Sequence, residues 1–139
     1  MRIWIDCEWN DYKGELISMA LVDEGGNEWY AVLGCKTPSP WVSEHVMPHL
    51  FSVGRLAKIC VPRDYVQASL QRYLLKFSLV NIIADWPEDI THFCNLLITG
   101  PGERIDTPQL CMEIRRDINS GASELPHNAL ADARAMRSM

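Results

Sequence analysis

Three short stretches hold the residues best able to do chemistry. In "IDCEW", Asp6 and Glu8 stand two apart on a predicted strand. Side chains two apart leave one face of a strand, with about 7 Å between their backbone positions. Two carboxylates there repel, so the stretch is either a strand running out into solvent or a place where a bound cation neutralises both. "ADWPEDITHF" offers Asp85 and Asp89. Asp85 and Glu88 fit the D-x-x-E capping box that opens a helix. Asp89 lies inside the first turn, where capping does not account for it, at the edge of the face carrying Ile90 and Phe93. Asp89 is therefore the preferred site residue and Asp85 the reserve. In "LPHNALADARAM", His127 and Asp132 are five apart, about 500° around a continuous helix, so they cannot share a helical face. Pro126 biases Leu125 toward an extended backbone and Asn128 is a good N-cap. His127 then belongs to the preceding loop and Asp132 to the first turns of the helix, and both can point into one cleft. Taken singly, they also read as a solvated histidine and an acid at the positive end of a helix. Carboxylate oxygens suit hard divalent cations, and an imidazole exchanges protons near neutral pH.

These stretches need elements to bring them together. "RIWID", "ELISMALVDE" and "NEWYAVLG" read as three strands, and "EGGN" between the last two is a hairpin turn. "PSPWVSEHVMPHL" reads as a short helix with Ser39 at the N-cap and Pro40 in its first position, ending before Pro48. "PRDYVQASLQRYLLKF" is a second helix, with Val66, Leu70, Tyr73, Leu74 and Phe77 at helical spacing. "SLVNIIA" is a buried strand, "DWPEDITHFCNLLI" a helix, and residues 99–110 a Gly/Pro loop. The order predicts an α/β or α+β domain with a mixed sheet, three leading antiparallel strands and flanking helices. No repeat or linker divides residues 1–139, so one domain is expected.

Composition narrows the class. A 47% hydrophobic content over 139 residues supports one ordinary core. Five cysteines without a C-x-x-C pair suit a reduced, intracellular protein. No apolar stretch reaches the roughly 18 residues of a membrane span, so a cytoplasmic protein without a membrane partner is expected. The net charge of −5 argues against a generally basic nucleic-acid coat protein. It does not exclude an enzyme whose acids are neutralised by bound cations.

Together, "DCE" near the N-terminus, an acidic position opening a mid-chain helix, and H-x-A-x-x-D near the C-terminus resemble the DEDDh 3'-to-5' exonucleases. Within them the chain is most similar to small bacterial and phage exoribonucleases related to ribonuclease T, in which "ELIS" likewise follows the first motif. The resemblance covers nearly the whole chain and implies a ribonuclease H-like fold. By position it implies Asp6, Glu8, Asp89 and Asp132 as metal-binding acids and His127 as general base. Members commonly show an N-x-x-F-D-like middle motif where this chain has "DWPED", which keeps Asp85 open beside Asp89. The implied substrate is the 3' end of single-stranded RNA or DNA, RNA by resemblance only, and a homodimer stays open.

The chemistry agrees with the resemblance. Phosphodiester hydrolysis at neutral pH needs an activated water and a neutralised phosphate and leaving oxygen. Two Mg²⁺ or Mn²⁺ ions about 3.5–4 Å apart supply these. Asp6 is the best bridge between the two, with Glu8 and Asp132 near one and Asp89 near the other. Trp9 could stack on a terminal base or be core. Ser18 and Met19 would, from the resemblance, line the floor under the last nucleotide. Arg115, Arg116, Arg134 and Arg137 could meet phosphates or be solvated and paired. A rival is a catalytically silent nucleic-acid- or protein-binding module of the same fold. Another is a Cys/His site from Cys7, His92, Cys94 and His127, which lacks zinc-ligand spacing and puts Cys94 on an apolar face.

Overall fold

The computed structural model describes residues 1–139 and is α/β. A mixed five-stranded sheet has helices on both faces. Its first three strands, β1 (Arg2–Trp9), β2 (Leu16–Asp23) and β3 (Glu28–Val32), form an antiparallel meander. β2 is buried at all eight residues because it lies between two strands and under helices on both faces. The β2–β3 turn closes on Asp23, whose Oδ1 accepts from the backbone N–H groups of Gly25 and Asn27, both at 2.9 Å. Gly26 there takes φ 89°, a conformation glycine adopts without a Cβ penalty.

After β3 come α1 (Pro40–His45) and a 3₁₀ turn at Met47–His49, then α2 (Arg63–Leu74), β4 (Leu79–Ala84) and α3 (Pro87–Leu97). Ser39 caps α1 by accepting from the Val42 N–H at 3.2 Å. β4 pairs in parallel with β1, with Trp4 opposite Ile83, so both strands end on the same side of the sheet. The expected loop at 99–110 instead carries a small hairpin of β5 (Ile98–Gly100) and β6 (Glu103–Arg104). Beyond it β7 (Gln109–Ile114) adds a parallel edge strand to β4, giving the order β3-β2-β1-β4-β7. The chain closes with α4 (Ala129–Arg137), capped by Asn128, which accepts from the Ala131 N–H at 3.0 Å.

Two apolar layers hold the helices to the sheet. Ile3, Ile5, Met19, Leu21 and Ile82 pack against Leu70 and Leu74 of α2 and Phe93 and Leu96 of α3. On the other face Ala20, Val22, Tyr30 and Val32 pack against Val42 of α1 and the Ala129–Ala133 segment of α4. All five cysteines are free, and no helix is long and apolar enough to cross a membrane.

Candidate metal centre

The carboxylates converge where β1 and β4 end. β1 sends Asp6 and Glu8 to the α4 face, opposite Ala20 and Ser18 of β2, whose small side chains leave space beside them. α4 crosses the same face and brings Asp132. The parallel pairing of β1 with β4, continued two residues, sets Asp85 beside Asp6. Asp89 arrives from the first turn of α3, where its Oδ1 accepts from the Cys7 N–H at 2.9 Å and ties the helix to β1.

Two carboxylate groups result, and they share Asp6. Ligand oxygens of Asp6, Asp85 and Asp89 all lie within 4.8 Å of one another, as do those of Asp6, Glu8 and Asp132. Asp6, Asp89 and Asp132 are buried, at 9%, 1% and 5% exposure. Asp6 Oδ2 and Asp132 Oδ1 are buried without a hydrogen-bond partner, and none of the protein's ion pairs involves the cluster. Buried carboxylate oxygens are rarely left so, because each loses hydration without compensation. A hard cation satisfies several at once, and this all-oxygen donor set fits Mg²⁺ or Mn²⁺.

The electrostatics point the same way. Burial first, then the neighbouring charges of Asp89 and Glu8, push the Asp6 carboxyl well above its ordinary range. Glu8 is pushed up to about 8 by burial and by Asp132 and Asp89. Asp89 also rises to about 8, through burial and Asp85, although the Cys7 N–H opposes the shift. Asp85 and Asp132 are raised by burial as well. Packed this closely, the acids must bind either protons or cations.

His127 precedes α4 in a left-handed conformation, φ 70°. Its backbone N–H donates to Asp132 Oδ2 at 3.2 Å while its side chain stays exposed. The ring meets Trp41 edge-on at 4.9 Å, and Trp41 in turn stacks on His45 at 4.5 Å and 15°. Trp41 and His45 were not singled out from the sequence. Their one signal is the i, i+4 spacing that puts them on one face of α1.

A buried network holds this wall in place. Asn128 Nδ2 donates to the His49 carbonyl at 2.7 Å and Tyr30 Oη to the Leu50 carbonyl at 2.6 Å, fixing the 3₁₀ turn against α4 and β3. Asn10 joins the β1–β2 loop to the start of α1, accepting from Ser39 N–H at 2.8 Å and donating to the Thr37 carbonyl. Only glycine fits at position 14 in that loop, where a Cβ would fall 1.7 Å from the Asn10 carbonyl oxygen.

Trp9, Ser18 and Met19 fall on different faces of the sheet. Trp9 is half-buried against the α2/α3 core, its ring tilted 31° to His92 at 5.3 Å. Ser18 is fully buried opposite Glu8 with an unpartnered Oγ, whereas Met19 points into the core on the other face. Arg115 and Arg134 pair with Asp117 and Glu28, and Arg137 donates to the Glu24 carbonyl. Cys7, His92, Cys94 and His127 form no metal-holding group. The capping box at Asp85 does not form. Trp86 is the N-cap of α3 without a side-chain bond, and Glu88 accepts from Trp86 Nε1 at 3.1 Å instead. An apolar pocket of about 230 Å³ between β3, α2 and residues 56–61 shares no residue with the carboxylates.

No protein-family model matches this chain, and comparison with curated proteins finds no match.

Proposed function

We propose that the chain is a metal-dependent 3'-to-5' exonuclease that hydrolyses single-stranded nucleic acid, RNA ahead of DNA, to nucleoside 5'-monophosphates. One observation carries this reading: two carboxylate groups share Asp6, hold buried oxygens without partners, and lie beside the histidine that opens α4. A ribonuclease H-like arrangement is compatible with the mixed sheet and flanking helices. The direction of attack and the preference for RNA rest on the motif resemblance.

When bound, two divalent cations supply an activated water and neutralise charge on the phosphate and the leaving oxygen. Asp6 would serve both positions, Glu8 and Asp132 would hold one ion, and Asp89 would hold the other. The exposed His127 ring takes the proton of the attacking water, while the Asp132 carboxylate holds the backbone that carries it. Trp41 stands beside that ring as a wall on which a terminal base can stack.

The test uses end-labelled single-stranded RNA and DNA with Mg²⁺, Mn²⁺ or chelator. A 5'-labelled strand should give a descending ladder with metal and nothing with chelator, and a circular strand should survive. Circles cut as fast as linear strands would make the protein an endonuclease. Binding without hydrolysis would make it a silent module.

A further inference from the structure

We infer that Asp85 is a ligand of the second cation, so that five carboxylates rather than four build the site and both cations bind before substrate does. The inference rests on the cation-binding reading above and deepens it. Asp85 follows the last residue of β4, and the parallel register with β1 sets it beside Asp6. Its carboxylate oxygen lies within 4.8 Å of those of both Asp6 and Asp89. Oxygens sharing an octahedral ion at 2.0–2.1 Å are roughly 3 Å apart when adjacent and roughly 4 Å when opposite, so this group closes on an ion with small side-chain adjustments.

Three further observations assign Asp85 to the site. It makes no capping bond to α3, so the usual structural reason for an acid ahead of a helix is absent. Asp89 already spends Oδ1 on the Cys7 N–H, which leaves its other oxygen for an ion. Asp6 Oδ2 is buried and unpartnered in the residue common to both groups, a polar atom that needs a ligand. With the shared Asp6, Asp85 and the free oxygen of Asp89, the second position has three carboxylates. It need not wait for phosphate oxygens to complete it. When both ions are bound and the acids are ionised, the fifth acid gives the site a charge of −5 against +4 from two divalent cations, so the loaded site stays close to neutral.

The test is a Mn²⁺ titration of the full chain without nucleic acid, following the electron paramagnetic resonance signal of free Mn²⁺. The wild type should bind two ions. Asp85→Asn should keep one at unchanged affinity and weaken the other by about tenfold or more. Asp89→Asn, which still accepts from Cys7 N–H, should weaken the same ion, and Glu8→Gln the other one. Metal-free melting shows whether each variant folds, and Asp85→Ser serves if Asp85→Asn does not. A wild type that binds a single ion, or an Asp85 variant that titrates like wild type, overturns the inference while leaving the nuclease reading standing. Two ions, one lost in Asp85→Asn, with no cleavage of RNA or DNA, would support the site and overturn the nuclease reading. No binding at all would remove both.

Discussion

His127 takes φ 70°, where a residue with a Cβ pays on the order of 1 kcal/mol, and it is kept there by its N–H bond to Asp132. Strain and function can therefore be separated. His127→Ala and His127→Gly should both lower turnover by about 10²–10⁴, the usual worth of a general base, with Mn²⁺ binding unchanged. In thermal melts, however, the glycine variant should be the more stable of the two. Equal melting would mean that the turn relaxes instead of being held. Trp41 is 47% exposed, a large ring left in solvent beside His127. If bases stack there, Trp41→Ala should raise KM by about 5- to 150-fold, the equivalent of ~1–3 kcal/mol, and Trp41→Phe should restore most of it. Steady-state kinetics on a short oligonucleotide decide this, and an unchanged KM removes the stacking wall. Asp6, Glu8, His127 and Asp132 were legible because local spacing alone places them on a face or at a helix entrance. Trp41 was not, because its partner His127 lies far along the chain. The capping reading of Asp85 failed for a related reason. The D-x-x-E pattern was present, but Glu88 bonds Trp86 Nε1 and the box never forms.

At the scale of elements, the site is held by a few bonds between segments distant in sequence. Asn128 does two jobs: its Oδ1 caps α4 and its Nδ2 binds the His49 carbonyl, setting the His127 turn against the wall that carries Trp41. Asn128→Ala should lose both, costing about 2 kcal/mol from the cap and the orphaned carbonyl together. Asn128→Ser should keep the cap and so lose less stability, yet lose turnover nearly as much as the alanine variant. Urea denaturation beside kinetics separates the two effects, and equal stability of both variants would show that the His49 bond, not the cap, dominates. The three leading strands and four helices were readable from turns, caps and apolar spacing. β7 was not. Four of its six residues are exposed and only Leu110 joins the core layer, so no alternation marks it as a strand. Its pairing with β4 is a property of the assembled sheet, as is the parallel register that carries Asp85 to Asp6.

Across the whole molecule, the net charge of −5 matters less than its concentration, because five carboxylates meet at one end of the sheet without an arginine or lysine pairing with them. In the metal-free protein this sets the pH dependence of stability. Glu8 and Asp89 are raised to about 8 from ordinary values of 4.5 and 3.8, and Asp6 is raised well above 3.8. Between those limits the folded state holds protons that the unfolded chain has released. Stability must therefore fall as pH rises from about 4.5 to about 8. On the proposed reading, divalent cations would bind the ionised cluster only in the folded state, so they should oppose this fall and help most at the alkaline end. Melting temperatures with chelator and with Mg²⁺ at pH 5, 6, 7 and 8 should diverge progressively. Asp6→Asn mimics the protonated form of the central acid. It should melt above the wild type in chelator at pH 8, with a shallower fall with pH and little gain from Mg²⁺. If wild-type melting in chelator is flat or rises over this range, the acids are not forced together in solution, and a shared cation site at Asp6 loses its physical basis.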